Sequence, residues 1–248
     1  MLYRSHRGGS YNTPENTMPA FEDALKRGFA YIETDPCYTL DGKTVLMHDK
    51  YINRTCRNSD GSTIATPIAT CDLTYQDLLQ YDAGLHVGEK IPALKNAFRG
   101  TRVPLLEELL RAAEGTGTII ALDKKIPDSD MAPLFDVVEK YTTPVSFSVK
   151  DEKRIKIVKE RFPNALFDYD GDTTDEILAR ITELVAPENL VVWLYLDTPN
   201  FAWLTDRAKA SVENCNRVKR HARLGIGNVC NPYDTIEALS YDPYVLEI

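Results

Sequence analysis

Thiols are few and unpaired in this sequence of 248 residues: Cys37, Cys56, Cys71, Cys215 and Cys230 form no C-x-x-C pair and are odd in number. Neither a disulfide framework nor a tetrahedral thiolate metal site is expected, and the five read as reduced packing residues. Long apolar runs are missing too. No stretch approaches the roughly 20 apolar residues that a membrane-crossing helix needs, and Met1-Leu2-Tyr3-Arg4-Ser5-His6 lacks the apolar core of a secretion signal. The expectation is a cytoplasmic protein without stable membrane insertion. Basic charge is in deficit, with 29 Lys and Arg against 37 Asp and Glu, and no basic stripe tracks a phosphate backbone. Nucleic acid is therefore not an expected partner, and any phosphate must be bound locally.

What is present is ordinary for a folded soluble chain: 43% hydrophobic and 27% charged residues supply a sizeable core. Leu2 to His6 reads as a strand that ends in His6-Arg7-Gly8-Gly9. Thr17 is placed to cap a helix carrying Pro19 in its first turn and Phe21, Ala24 and Leu25 on its buried stripe, with Gly28 as the stop. The strand Phe29 to Asp35 completes a β-α-β unit. No helix fits between Asp35 and Thr44, so residues 37–48 read as a hairpin turning at Asp41-Gly42.

Residues 50–103 hold polar turns and a short helix capped by Thr74, and read as an insertion that covers a site. From Pro104 the alternation resumes. Strands are expected at Thr118–Leu122, Val145–Val149, Ala165–Phe167, Leu190–Leu196, Leu224–Val229 and Tyr244–Ile248, and the intervening helices include a long one from Phe201 to His221. Eight strands separated by helices predict an α/β fold, a (β/α)8 TIM barrel with a small insertion after the second strand, spanning 1–248 as a single domain. A doubly wound open sheet is the runner-up.

In a barrel the chemistry belongs at the carboxyl ends of the strands, where His6, Arg7, Glu33, Asp35, Asp123 and Lys125 fall. The hairpin returns His48 to the same side. Period-two alternation puts Glu33 and Asp35 on one face among apolar neighbours, where two carboxylates repel and lose hydration unless a cation sits between them. A divalent metal resolves that conflict. His86 and His221 read as solvated.

His6-Arg7-Gly8, Pro14-Glu15-Asn16-Thr17, Glu33-Thr34-Asp35, Asp41-Gly42, His48-Asp49, Arg54-Thr55, Asp82-Ala83-Gly84 and Pro104-Leu105-Leu106-Glu107-Glu108 resemble the glycerophosphodiester phosphodiesterase family, most closely over residues 3–125. The resemblance implies metal-dependent hydrolysis of small glycerophosphodiesters to an alcohol and glycerol 3-phosphate. It implies that Glu33, Asp35 and Asp123 hold Mg²⁺ or Ca²⁺, that His6 and His48 are the acid/base pair in an undecided order, and that Arg7 and Lys125 bind the phosphate. Oxygen ligands suit a hard cation, an arginine fork suits two phosphate oxygens, and imidazoles titrate near neutrality. Glu15 and Asn16 are expected to brace the first loop rather than to act directly.

Two departures stand out: Asp123 where the family usually has glutamate, and Gly227-Asn228-Val229-Cys230 where it commonly carries Trp-Thr-Val-Asn. The second removes an aromatic wall and leaves Phe147 as the candidate apolar lining. A lysophospholipid or other diester, or a barrel that binds a phosphoester without turnover, are the alternatives, and a homo-oligomer stays open.

Overall fold

The computed structural model describes residues 1–9, 11–199, 205 and 207–248. Eight parallel strands close a barrel: β1 (Leu2–Ser5), β2 (Tyr31–Thr34), β7 (Ile119–Leu122), β8 (Val145–Val149), β9 (Leu166–Tyr169), β10 (Leu190–Tyr195), β11 (Arg223–Gly227) and β12 (Val245–Glu247), with β12 beside β1 and β7 beside β2. This is the predicted (β/α)8 architecture with an insertion after its second strand, and the doubly wound alternative is set aside by the closure. Among the described residues no helix is long and apolar enough to cross a membrane.

The chain divides into two compact units, Ser5–Pro144 and Met1–Arg4 with Val145–Ile248. In the first, helix α1 (Met18–Lys26) buries Ala20, Phe21 and Ala24, carries Pro in its first turn and gives way to Gly28 at φ +73. Thr17 occupies the cap position without capping, because its hydroxyl donates to the Pro14 carbonyl at 2.6 Å instead. β2 pairs with β7 in register Glu33↔Ala121 and Thr34↔Leu122, and the Asp123 amide extends the ladder to the Thr34 carbonyl at 2.9 Å.

The predicted hairpin is β3 (Pro36–Tyr38) against β4 (Thr44–Leu46), and its turn places Gly42 at φ +73, where a side chain would be strained. After it, residues 50–103 contribute Ile52, Cys56, Leu78, Ala83 and Val103 to a satellite core that also holds Val45 and Met47 of the hairpin stretch. Helix α2 (Tyr75–Leu78) is capped by Thr74 as expected, and a short helix α3 (Val87–Lys90) follows. An additional two-residue ladder, β5 (Arg57–Asn58) against β6 (Tyr81–Asp82), is too short to leave a period in the sequence. His86 departs from the solvated reading: it is 4% exposed, and its Nδ1 is buried without a hydrogen-bond partner. Helix α4 (Leu106–Ala113) and helix α5 (Ala132–Val138) flank β7 in sequence, each burying the apolar stripe its periodicity announces.

In the other unit, Arg4 lies buried among polar groups that hydropathy does not reveal. Its Nε donates to Glu247 at 2.6 Å and Nη1 to Asp168 at 3.2 Å, and its guanidinium stacks 3.7 Å above the Trp193 ring. Asp168 also accepts from Trp193 Nε1 at 2.7 Å and from the Ser146 hydroxyl. Helices α6 (Glu152–Arg161) and α7 (Asp175–Leu184) carry side-chain caps from Asp151 and Thr174. The long helix expected from Phe201 falls partly on residues outside those described. Helix α8 begins at Val212, capped by Ser211, and runs to His221, whose Nε2 lies 2.9 Å from Asp175. Just before it, the Ala208 carbonyl and the Ala210 amide bond Tyr195 at 2.9 and 2.8 Å, so this stretch is extended. Helix α9 (Pro232–Ser240) precedes β12.

Packing around Gly84 sets a test of the insertion. An added Cβ presses on the Phe98 carbonyl oxygen and lies 2.7 Å from Phe98 Cβ. Gly84→Ala is expected to destabilise the fold by about 2 kcal/mol through overpacking, seen as a lower urea midpoint; an unchanged midpoint contradicts the tight contact.

Candidate active site

The site is assembled within the Ser5–Pro144 unit by the chain just past β1, β2, the hairpin and β7. Directly after β1, Arg7 adopts φ +52, a conformation that costs a non-glycine residue energy. Two hydrogen bonds hold it there: the Arg7 amide donates to Glu33 Oε2 at 2.7 Å, and the Arg7 carbonyl accepts from the Asn16 amide at 2.9 Å. Gly8 has no room for a Cβ, which would lie 2.7 Å from the Phe21 ring, so the loop sits directly on helix α1. Its placement aims Arg7 inward and leaves His6 at the rim, with its side chain 41% exposed and Nε2 4.0 Å from Glu33 Oε2.

Asp35 is the most enclosed charge, at 1% exposure. Asn16 Nδ2 donates to its Oδ2 at 2.8 Å, while Asn16 Oδ1 accepts from the Thr34 hydroxyl at 2.7 Å and the Asp35 amide at 3.2 Å. Two cations face the same carboxylate: Arg7 Nε lies 3.7 Å from Oδ2 and Lys125 Nζ 3.7 Å from Oδ1. Lys125 Nζ is also 3.9 Å from Asp123 Oδ2, so one ammonium stands between the carboxylates of β2 and β7. None of the three separations is short enough for a hydrogen bond. Arg7 Nε is buried and has no acceptor.

The hairpin returns the chain to this place, because the Met47 amide bonds the Asp35 carbonyl at 2.9 Å. His48 follows, and its Nδ1 is 2.6 Å from Asp49 Oδ1. Arg54 then donates from Nε to Asp49 Oδ2 at 2.5 Å and through both terminal nitrogens to Glu15 at 2.8 and 2.7 Å. Glu15 also accepts from Arg7 Nη1 at 2.9 Å. Burial pushes the Glu15 carboxyl up, but the Arg54 hydrogen bonds and the two guanidinium charges outweigh it and hold the group down at about 2.

Nine of the ten sequence-predicted site residues, His6, Arg7, Glu15, Asn16, Glu33, Asp35, His48, Asp123 and Lys125, thus belong to connected loops of one unit. Phe147 does not belong to this cluster. It lies in the other unit, buried, with its ring 5.4 Å from that of Phe162. Alternation explains this: its neighbour Ser146 takes the opposite face of β8, toward Asp168. Asp49 and Arg54 carry contacts that their short motifs announced only as parts of a resemblance. The adjacency of a carboxylate to His48 was the available signal.

Whether these groups suit a divalent cation is a question of donor chemistry and spacing. Glu33, Asp35 and Asp123 offer only hard oxygen donors, and a single positive centre, the Lys125 ammonium, already bridges two of them, so the donor set fits Mg²⁺ or Ca²⁺. Among the described residues, however, no three His, Cys, Asp or Glu side chains gather closely enough to hold one ion as they stand.

Buried carboxylates, the cations Arg7 and Lys125 and the imidazole of His6 thus gather past the strand ends of a (β/α)8 barrel. The particular family follows from sequence: the chain belongs to the Glycerophosphoryl diester phosphodiesterase family, whose model matches residues 6–165. It is 35% identical to glycerophosphodiester phosphodiesterase 1 of Mus musculus over 128 residues, 52% of this chain and 34% of that protein. The chain spans about a third of the length of the curated relatives it matches. Its fold is similar to a solved glycerophosphoryl diester phosphodiesterase from Silicibacter pomeroyi, with TM-score 0.80, 18% identity and coverage of 100% of this chain and 89% of that one. It is likewise similar to an Oleispira antarctica phosphodiesterase solved with the product sn-glycerol-3-phosphate, with TM-score 0.76, 18% identity and coverage of 100% and 92%.

The Glu15 carboxyl generates a prediction about acid stability. Its folded value lies below the 4.5 of an unperturbed glutamate, so it contributes stability above about pH 4.5 that is lost as pH falls toward about 2. Urea titrations over that window are expected to show the wild type losing about 3 kcal/mol more than Glu15→Gln. Parallel pH curves for the two proteins contradict the assignment.

Proposed function

We propose that the protein hydrolyses glycerophosphodiesters to an alcohol and glycerol 3-phosphate, with His6 and His48 as proton carriers and Arg7 and Lys125 on the phosphate. The observation that supports this most directly is the convergence of Arg7 and Lys125 on Asp35, each at 3.7 Å. Neither cation is within hydrogen-bond distance of Asp35, so each keeps donor capacity for an anionic ligand. Arg7 Nε, buried without an acceptor, has a hydrogen bond to give to a phosphate oxygen. Lys125 contributes a mobile point charge.

Glu33, Asp35 and Asp123 would hold the divalent cation. Once bound, such an ion supplies Lewis-acid polarisation of a phosphoryl oxygen. The remaining work falls to the protein's own side chains. One imidazole takes a proton from the attacking oxygen as that oxygen bonds to phosphorus, the bond from phosphorus to the departing alkoxide breaks, and the other imidazole protonates that alkoxide. His6, the more exposed of the two, has the Glu33 carboxylate 4.0 Å from its Nε2. A barrel that only binds a phosphoester has no need of two proton carriers, which favours turnover. The family membership and the product named for the Oleispira antarctica neighbour point to the same substrate class.

Single substitutions His6→Ala and His48→Ala are each expected to lower kcat on glycerophosphodiesters by at least about 100-fold while the folded circular dichroism spectrum persists. Wild-type rates in either variant remove that histidine from the reaction. Chelation gives an independent check: EDTA is expected to stop hydrolysis and added Mg²⁺ or Ca²⁺ to restore it, and turnover indifferent to chelator removes the cation from the scheme.

A further inference from the structure

We propose that Asp49 and Arg54 are positioning residues that set the tautomer of His48, so that the segment following the hairpin supplies part of the catalytic machinery. This deepens the hydrolytic reading above and rests on it. The argument begins with the carboxylate. Asp49 lies partly buried, which pushes its carboxyl up, but hydrogen bonds from Arg54 and His48 and their charges hold it below the ordinary range. It is therefore ionised wherever the enzyme works.

An ionised carboxylate only accepts hydrogen bonds, so in its 2.6 Å contact with His48 the proton must reside on Nδ1. In the neutral ring that leaves the lone pair on Nε2, the nitrogen turned away from Asp49. A histidine without such a partner divides its proton between the two nitrogens, and a share of molecules then presents the wrong one to the substrate.

Asp49 cannot do this unaided, since it is the next residue along the chain and has several rotamers open to it. Arg54 removes that freedom. The single-turn helix Ile52–Arg54 turns its guanidinium back so that Nε donates to Asp49 at 2.5 Å while the terminal nitrogens grip Glu15 at 2.8 and 2.7 Å. Glu15 is 8% exposed and is also bonded to Arg7, so the far end of the clamp is anchored in the phosphate-reading loop. The same planar fork gives Glu15 two hydrogen bonds and Asp49 a third at fixed angles, a geometry that a lysine ammonium in its place does not reproduce.

The test uses the purified full chain, glycerophosphocholine with added Mg²⁺ as the assay, and nitrogen NMR of the histidine rings as a readout that needs no turnover. Asp49→Asn is nearly isosteric and is expected to lower kcat by about 100-fold with KM changed by less than about threefold. Arg54→Lys is expected to lose about tenfold in kcat, since charge alone does not restore the clamp. In the wild type the His48 proton is expected on Nδ1, and in Asp49→Asn on a mixture of the two nitrogens. A wild-type kcat in Asp49→Asn, or a wild-type proton on Nε2, overturns the proposal. A wild type that turns over no glycerophosphodiester sinks the hydrolytic reading instead, and the ring-nitrogen assignment then decides the positioning claim by itself.

Discussion

Asp35 is a carboxylate that the fold encloses almost completely, and the Ser5–Pro144 unit is arranged to make that tolerable. Burying an ion costs several kcal/mol unless charge and hydrogen bonds compensate. The compensation comes from every loop nearby: the Asn16 amide from the stretch before α1, the guanidinium of Arg7 from the turn after β1, and the ammonium of Lys125 from beyond β7. Each donor requires its loop to sit where it does. In its left-handed conformation Arg7 directs its amide to Glu33 and its side chain to Asp35 together, with Gly8 seated closely on Phe21.

The electrostatics of the site form one continuous network. From Arg7 through Glu15, Arg54 and Asp49 to His48, anion and cation alternate, with hydrogen bonds of 2.9 Å or less at each step. Glu15 is held down at about 2 because it answers two guanidinium groups, and a charge so strongly stabilised serves as a fixed post. The insertion earns its place through Arg54, whose reach joins two loops distant in sequence.

The Met1–Arg4 and Val145–Ile248 unit meets the cost of buried charge by a different route. Arg4 is saturated by Asp168, Glu247 and the face of Trp193, and Asp168 is completed by Ser146 and the Trp193 indole. A network satisfied so fully rigidifies a core and fixes the orientation of its members. Alternation along β8 then explains why Phe147, which the sequence offers as an apolar lining, packs on Phe162: Ser146 already occupies the other face.

Much of the architecture is written in local pattern. Runs such as Ile119-Ile120 and Val191-Val192, separated by helical periodicity, specify barrel strands because a strand buried on both faces needs branched apolar residues at every position. Thr74 caps its helix as expected because its partner Asp77 lies three residues away, whereas Thr17, also expected to cap, does not, since its hydroxyl has a competing local carbonyl. Within the stretch expected to be helical from Phe201 to His221, residues 208–210 are extended instead, as pairing of Ala208 and Ala210 with Tyr195 overrides helical propensity, and the helix runs from Val212.

The alternation of strands and helices, the acidic pair Glu33 and Asp35 at the end of one strand and the presence of imidazoles near strand ends were thus determined by the sequence, because each depends on residues a few positions apart. Which charges meet was decided only in three dimensions. Lys125 between Asp35 and Asp123, Arg54 shared by Asp49 and Glu15, and the burial of His86 all depend on how distant loops stack. A Coulomb interaction falls with separation in space, and separation along the chain carries no information about it.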